Sequence, residues 1–115
     1  MTRPLPSRGE IWEVNLNPTR GHEQSGIRPA LVMSVDAFNH GPADLVVLLP
    51  ITTTDRGIPL HVPLRPPEGG VRRPSYIKCE DVRSVSRERL VVPWGSVTAA
   101  TMRAVEDRLR ILLDL

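Results

Sequence analysis

The apolar run Leu45-Val46-Val47-Leu48-Leu49 constrains the fold of this chain more than any other segment. An apolar stretch without a polar position indicates a strand that is buried on both faces, and we predict that it spans residues 44–51. Such a strand needs hydrogen-bonding neighbours at its edges and apolar cover on each side. The rest of the chain must therefore supply a sheet.

Short segments of strand character surround this run, and each ends in residues typical of turns. The prolines at 59, 63 and 66 favour an edge position for the segment 60–64, since proline cannot donate to a ladder. Asp36 and Gly41 are suited to cap and close a single helical turn. We predict the remaining strands at residues 8–16, 28–35, 60–64 and 89–94, with one further strand or two short ones over 75–79 and 81–85, and a loop at 66–74.

The C-terminal segment has a different period. Apolar residues recur there at spacings of three and four, which indicates an amphipathic helix from an N-cap at Thr98 to about residue 113, with its aliphatic end in the core. We predict a mostly β (α+β) fold, a partly open antiparallel barrel with a C-terminal helix, in one domain over 8–115 after a loose tail, 1–7. The helical stripe is Met102, Val105, Leu109 and Leu112.

The composition excludes several classes of protein. Cys79 is the sole cysteine, which rules out an intrachain disulfide and fits a reducing cytoplasm. No apolar stretch approaches the roughly 20 residues that span a bilayer, so we expect no membrane association. The formal net charge is +2, yet fourteen of the fifteen basic residues are arginine, whose planar fork pairs with phosphate oxygens. Genome composition explains this bias equally well.

Residues 21–29 place polar groups on a loop that leads directly into a predicted strand. If the strands that begin at Arg28 and end at Thr52 are antiparallel neighbours, a guanidinium and a hydroxyl meet at one end of the sheet. His22 and Glu23 lie on the loop above them. This arrangement is a candidate phosphodiester site that needs no metal or cofactor.

RNA carries its own nucleophile, the 2′-hydroxyl, so its cleavage requires a proton acceptor, a proton donor and groups that stabilise the phosphorane. Glu23 or His22 is a candidate base, and Arg28 and Thr52 are candidate phosphate donors. Structural alternatives remain open. Arg28 could pair with a carboxylate, Thr52 could simply end a strand, and Glu23 could orient the loop.

Four motifs follow one another along the first half of the chain. They are Arg8-Gly9-Glu10-Ile11-Trp12, Asn17-Pro18-Thr19-Arg20-Gly21-His22-Glu23-Gln24-Ser25-Gly26-Ile27-Arg28-Pro29, Ala30-Leu31-Val32-Met33-Ser34 and Pro50-Ile51-Thr52. In these motifs and their order the chain resembles the MazF/PemK family of toxin endoribonucleases, and the likeness covers residues 8–115.

The resemblance implies an SH3-like barrel that forms a homodimer and cuts single-stranded RNA at short sequence motifs without a metal. The expected products are a 2′,3′-cyclic phosphate and a 5′-hydroxyl, and the expected inhibitor is a cognate antitoxin with an acidic, flexible tail. The catalytic residues of the family fall on Arg28 and Thr52, and its loop glutamate and glutamine fall on Glu23 and Gln24. His22, where many relatives have serine, and Asp81, where glutamine is common, depart from the family pattern.

Other side chains are candidates for RNA contact. Trp12 and Trp94 could stack bases, although core or dimer contacts are the expected role for the few aromatic residues of this chain. His61 and His40 are expected to be a strand side chain and a turn residue, and Cys79 a small buried hydrophobe. The candidate RNA-binding residues are Gln24, Thr53, Arg72, Arg73 and Arg83, of which Arg83 could instead brace the site.

Two other functions compete with RNA cleavage. A related toxin family of the same architecture poisons DNA gyrase without cutting nucleic acid, through aromatic and glycine residues near its C-terminus. This chain ends in Leu112-Leu113-Asp114-Leu115, which disfavours that alternative. A family member that binds RNA or an antitoxin without cutting is the third possibility.

Overall fold

A computed structural model describes residues 4–17 and 26–115, and within these ranges the chain forms seven strands and two α-helices. Their positions agree with the sequence prediction to within a few residues at each end. The strands are β1 (Glu10–Asn15), β2 (Ile27–Val32), β3 (Leu45–Thr52), β4 (His61–Leu64), β5 (Ser75–Lys78), β6 (Arg83–Ser86) and β7 (Leu90–Ser96), and the helices are α1 (Asp36–Asn39) and α2 (Ala99–Leu113).

The strands form one antiparallel sheet that is not closed. Its order is β4-β5-β3-β2-β1-β7, so that β4 and β7 stand at the two ends. Strand β3 holds two partners on one side, since Leu45 to Leu48 pair with β6 and Ile51 to Thr52 pair with β5. The predicted partly open antiparallel barrel is confirmed, and Pro63 lies in an edge strand as predicted.

Apolar clusters cover both faces of β3, as its unbroken apolar run predicts. Leu49 and Ile51 belong to one cluster, and Val46 and Leu48 belong to the other. Leu45 and Val47 are the exceptions, since Leu45 lies at the exposed start of the strand and Val47 is only half-buried. The first cluster also contains Ile11, Leu31, Ile77 and Val105, and the second contains Trp12, Val14, Ala30, Val32 and Leu90.

Helix α2 covers the first cluster. Thr98 is its N-cap, as predicted, and accepts a hydrogen bond from the backbone N–H of Thr101. Val105 is fully buried, and Met102 and Leu109 pack beside it. No helix within the described ranges has the length and apolarity that crossing a membrane requires.

The prediction that the aliphatic C-terminus lies in the core is wrong. Leu112 is 38% exposed, and Ile111 and Leu115 are 75% and 83% exposed. Helix α2 contacts β4 and the turn Cys79–Asp81, and its last turn extends past this small surface.

The short helix α1 forms where predicted, but Asp36 does not cap it. Val35 occupies the N-cap position, and the Asp36 carboxylate instead accepts a hydrogen bond from the backbone N–H of Arg8 at 2.7 Å. The aspartate therefore ties the start of the chain to the helix. Gly41 donates its N–H to Phe38 and closes the turn, as expected.

Glu68 joins the loop 66–74 to the start of α2. Its carboxylate accepts hydrogen bonds from the Thr98 N–H at 3.0 Å, the Thr98 hydroxyl at 3.2 Å and the Thr101 hydroxyl at 2.5 Å. Burial raises the pKa of Glu68, but these three bonds outweigh burial and hold its pKa below the ordinary value of 4.5. A carboxylate at a helix N-terminus also interacts favourably with the helix dipole.

The contribution of Glu68 to stability should therefore depend on pH. A carboxyl whose pKa is lower in the folded state stabilises the fold above its unfolded pKa and loses that effect as the pH falls through the folded value. We expect Glu68→Gln to lower the free energy of unfolding by about 1 kcal/mol at pH 7. Urea titrations should show the two proteins converging as the pH falls below about 4.5, and a difference that stays constant with pH would contradict this role.

Candidate active site

Arg28 and Thr52 lie on neighbouring strands. β2 pairs antiparallel with β3, and Arg28 and Thr52 each lie two residues beyond the last pair of this ladder, Ala30↔Pro50. Both side chains line the same surface cleft. Antiparallel pairing thus brings together the guanidinium and the hydroxyl that the sequence suggested as partners.

This cleft has a volume of about 810 Å³ and a strongly positive lining. Among the described residues that line it, five side chains are cationic and one, Glu13, is a carboxylate. We call it the cationic cleft. The cations are Arg28, Arg56, Arg72, Arg73 and Lys78, and the neutral polar lining is Thr52, Thr53, Thr54 and Ser75. A concave surface of one sign concentrates ligands of the opposite charge.

The loop 66–74 supplies two of these cations. Val71 is buried and anchors the loop next to exposed Arg72 and Arg73. The Ser75 hydroxyl donates to the Arg73 carbonyl at 2.8 Å, which fixes the return of the chain into β5. The two arginine side chains thus start from a backbone that is held at both ends.

Five of the candidate residues come together in the cleft, and one does not. Arg28, Thr52, Thr53, Arg72 and Arg73 line it. His22, Glu23 and Gln24 lie outside the described residues.

Arg83 is not among the lining residues. Its guanidinium pairs with Asp81 at 2.7 Å, and Lys78, which does line the cleft, lies 3.5 Å from the same carboxylate. Asp81 therefore links Arg83 to the cleft through Lys78. This geometry favours the bracing role for Arg83 over direct contact with a ligand, because its charge is already engaged by a largely buried carboxylate.

Sequence reasoning missed several lining residues, among them Glu13, Arg56 and Lys78. A signal for Glu13 is present, because it alternates with buried Trp12 and Val14 and so points away from their cluster. Trp94, a candidate for base stacking with a core or dimer contact as its expected role, is 37% exposed in the cleft and is therefore not a core residue. The core alternative is correct for Trp12.

The described histidines and the cysteine lie outside the cleft lining. His61 is buried in β4, with Nε2 2.9 Å from Glu80, and His40 Nε2 lies 2.7 Å from the Pro6 carbonyl, so both have the structural roles expected of them. Burial raises the pKa of Cys79 to about 11, which suits a small buried hydrophobe and not a nucleophile. Within residues 4–17 and 26–115, no three His, Cys, Asp or Glu side chains are grouped to hold a metal ion.

Gly70 sets how closely the loop 66–74 approaches β7. It has φ +84°, and a Cβ added to it would lie 2.7 Å from the Trp94 carbonyl oxygen and 2.8 Å from the Trp94 Cβ. We expect Gly70→Ala to lower the free energy of unfolding by about 2 kcal/mol or more, through strain and overpacking. Gly57→Ala is the matched control, since Gly57 has φ +63° with no atom within 4 Å. Equal losses of stability in urea would contradict the packing argument.

Comparison with known proteins agrees with this geometry. The profile of the PemK-like, MazF-like toxins of type II toxin–antitoxin systems matches residues 7–113. The chain is 35% identical over 113 residues to endoribonuclease MazF9 of Mycobacterium tuberculosis, covering 94% of this chain and 96% of that protein.

Solved structures give the same result. MazF from Deinococcus radiodurans superposes with a TM-score of 0.88 at 30% identity, covering 98% of this chain and all of that one. A mycobacterial endoribonuclease in complex with its cognate antitoxin has a TM-score of 0.79 at 28% identity, covering 96% of each chain. A cationic cleft on an open antiparallel barrel, together with a family match over almost the whole sequence, shows that this chain belongs to the PemK-like, MazF-like toxins of type II toxin–antitoxin systems.

Proposed function

We propose that this protein is a toxin endoribonuclease that cleaves single-stranded RNA at short sequence motifs without a metal ion. The observation that carries the proposal is the shared position of Arg28 and Thr52 in the cationic cleft. Relatives named endoribonuclease that match nearly the full chain support it. RNA presents one phosphate charge per nucleotide, so a strand laid along this cleft would meet the cations on its walls.

The reaction begins at the RNA itself. The 2′-hydroxyl attacks the adjacent phosphorus, a pentacoordinate phosphorane forms, and the bond to the departing 5′-oxygen breaks. The products are a 2′,3′-cyclic phosphate and a 5′-hydroxyl. Because the nucleophile belongs to the substrate, the protein has to align the strand, move two protons and stabilise negative charge on the phosphorane.

Arg28 and Thr52 supply the stabilisation. The arginine fork can donate two N–H bonds to the phosphorane oxygens. Its electrostatic attraction to these oxygens strengthens as negative charge builds up on them. The arginine guanidinium offers hydrogen-bond donors and no acceptor, so this proposal assigns charge stabilisation and not proton transfer to Arg28. The Thr52 hydroxyl donates to the same phosphate.

Proton transfer is assigned to the loop that precedes β2. Glu23 or His22 takes the 2′-hydroxyl proton in this proposal, and the other of the two, or water, gives a proton to the departing 5′-oxygen. Both residues lie outside the described residues. The pH dependence of kcat/KM separates the two. An apparent pKa near 6.5 that disappears in His22→Ala identifies the histidine, whereas an acidic limb that disappears in Glu23→Gln identifies the glutamate.

The partners follow from the same surfaces. A cognate antitoxin with an acidic, flexible tail would compete with RNA for the cationic cleft, in line with the antitoxin complex of the mycobacterial relative.

A homodimer would cover the exposed apolar end of α2, where Ile111 and Leu115 are largely exposed. Sedimentation of a monomer at micromolar concentration would contradict the dimer.

RNA cleavage in the presence of EDTA tests the proposed activity. Purified protein should cut a single-stranded RNA pool in excess EDTA and should leave single-stranded DNA of the same sequence intact, because DNA lacks the 2′-hydroxyl. Cleavage that stops on chelation would contradict the metal-independent reaction. Inhibition of DNA gyrase by protein that leaves RNA intact would favour the non-enzymatic alternative.

A further inference from the structure

Glu13 and Trp94 form a pair in the lining of the cationic cleft. They lie on adjacent strands, where Glu13 pairs with Val92 and Trp12 pairs with Pro93. The indole Nε1 of Trp94 donates to Glu13 Oε2 at 3.1 Å. Gly70 packs against the backbone and Cβ of Trp94, which fixes the base of the side chain while 37% of the residue stays exposed.

The charge of Glu13 is opposite to its surroundings. It is the only carboxylate among the described lining residues of the cationic cleft, which include five cationic side chains. A carboxylate repels phosphate, so the surface beside Glu13 is poorly suited to the RNA backbone. It is well suited to N–H donors, because an ionised carboxylate is purely an acceptor.

A partly exposed indole beside a hydrogen-bond acceptor can bind an unpaired base of single-stranded RNA, because the ring can stack on the base and the acceptor can bind its edge. Unstacked bases in RNA bind by stacking on an aromatic ring and by hydrogen bonds to their Watson–Crick edges. The Trp94 bond also orients the Glu13 carboxylate. It leaves Oε1 and one lone pair of Oε2 to accept other donors, since no other side chain in residues 4–17 and 26–115 bonds to Glu13.

The donor pattern selects one base. Guanine presents two adjacent N–H donors on its Watson–Crick edge, at N1 and N2, which match two carboxylate oxygens. Adenine and cytosine present one amino group beside an acceptor nitrogen that the carboxylate would repel. Uracil presents one N–H between two carbonyl oxygens. We propose that Trp94 stacks a guanine of the RNA substrate and that Glu13 recognises its N1 and N2 donors, an inference that rests on RNA being the ligand of this cleft.

Binding of uncleavable oligonucleotides tests the inference independently of catalysis. Short 2′-O-methyl oligouridines with a fluorescent label at one end carry one central guanine, inosine, adenine, cytosine or uridine, and binding is followed by fluorescence anisotropy of the label. Inosine lacks the N2 amino group but keeps N1–H. We expect the guanine oligonucleotide to bind at least about 10-fold more tightly than the inosine one, and more tightly still than the others.

Matched variants assign the preference to the pair. Glu13→Gln keeps the shape of the side chain but replaces one acceptor with a donor, so the guanine preference should fall by about 10-fold or more. Trp94→Ala should weaken binding of every oligonucleotide by about fivefold or more, through lost stacking. Glu88→Gln, outside the cationic cleft in the turn Arg87–Arg89, should bind like the wild type. Circular dichroism confirms that each variant is folded.

Two results would overturn the inference: equal affinity of the wild type for all five oligonucleotides, or a guanine preference that survives Glu13→Gln. Guanine-selective binding by a protein that cuts no RNA would uphold the inference while refuting the proposed nuclease activity. If the protein cleaves RNA without a Glu13-dependent guanine preference, the activity stands and this inference fails.

Discussion

Replacing Arg28 with alanine is expected to lower kcat/KM for cleavage of single-stranded RNA by about 100- to 1000-fold. Arg28 lines the cleft with Thr52, and its positive charge and N–H donors stabilise the negative charge that accumulates on the phosphorane. Arg28 is exposed, so its truncation leaves no cavity in the core. Initial rates on a fixed RNA substrate, with the thermal transition of each protein, measure the effect.

Two further variants separate the effects of the positive charge, the arginine fork and the threonine hydroxyl. Arg28→Lys keeps the positive charge but loses the fork, so it should recover only part of the lost activity. Thr52→Val keeps the shape and removes the hydroxyl, and it should slow cleavage by a smaller factor than Arg28→Ala because it removes a neutral donor. If Arg28→Ala cleaves at the wild-type rate while folded, the catalytic assignment is wrong.

Leu49→Ala is expected to cost about 2–5 kcal/mol of folding free energy, the second large effect. Leu49 is fully buried at the centre of β3 and belongs to the cluster that α2 covers. Its truncation removes apolar contacts and leaves a void that surrounding strands can fill only in part. A cost near the upper end would equal the whole free energy of unfolding of a small domain of low stability, about 5 kcal/mol.

Leu45→Ala is the matched control for this substitution. It changes the same residue type in the same strand, but Leu45 is 37% exposed where β3 begins. We expect a loss of about 1 kcal/mol or less in urea unfolding. Equal losses for the two variants would contradict the burial of β3 at its centre and exposure at its start.

Local sequence patterns predicted most of this fold because each pattern acts through near neighbours. The apolar run in β3 has to be buried on both faces, and Thr98 has to accept from the first turn of α2 wherever that helix packs. The errors arose where tertiary contacts determine the environment of a residue. Leu112 continues the apolar stripe of α2, but the surface that the helix covers ends before this residue. The Asp36 carboxylate accepts a hydrogen bond from the Arg8 N–H and not from an N–H of α1.

The candidate site was predictable only in part, for a similar reason. Arg28 and Thr52 lie at the ends of two strands that pair directly, so local pattern and the family resemblance both point to them. Glu13, Lys78 and Trp94 reach the cleft from three further strands, and only the sheet order brings them there. Arg83 shows the converse: a basic residue in a promising motif whose charge is engaged by Asp81.

Sequencing the ends of a single-stranded RNA pool incubated with purified protein in EDTA tests the central claim most directly. The account predicts new 5′-hydroxyl and 2′,3′-cyclic phosphate ends at one recurring sequence motif, and their absence when Arg28→Ala replaces the wild type. Ends that carry a 5′-phosphate, or the same ends at the same rate from the Arg28→Ala protein, would contradict it.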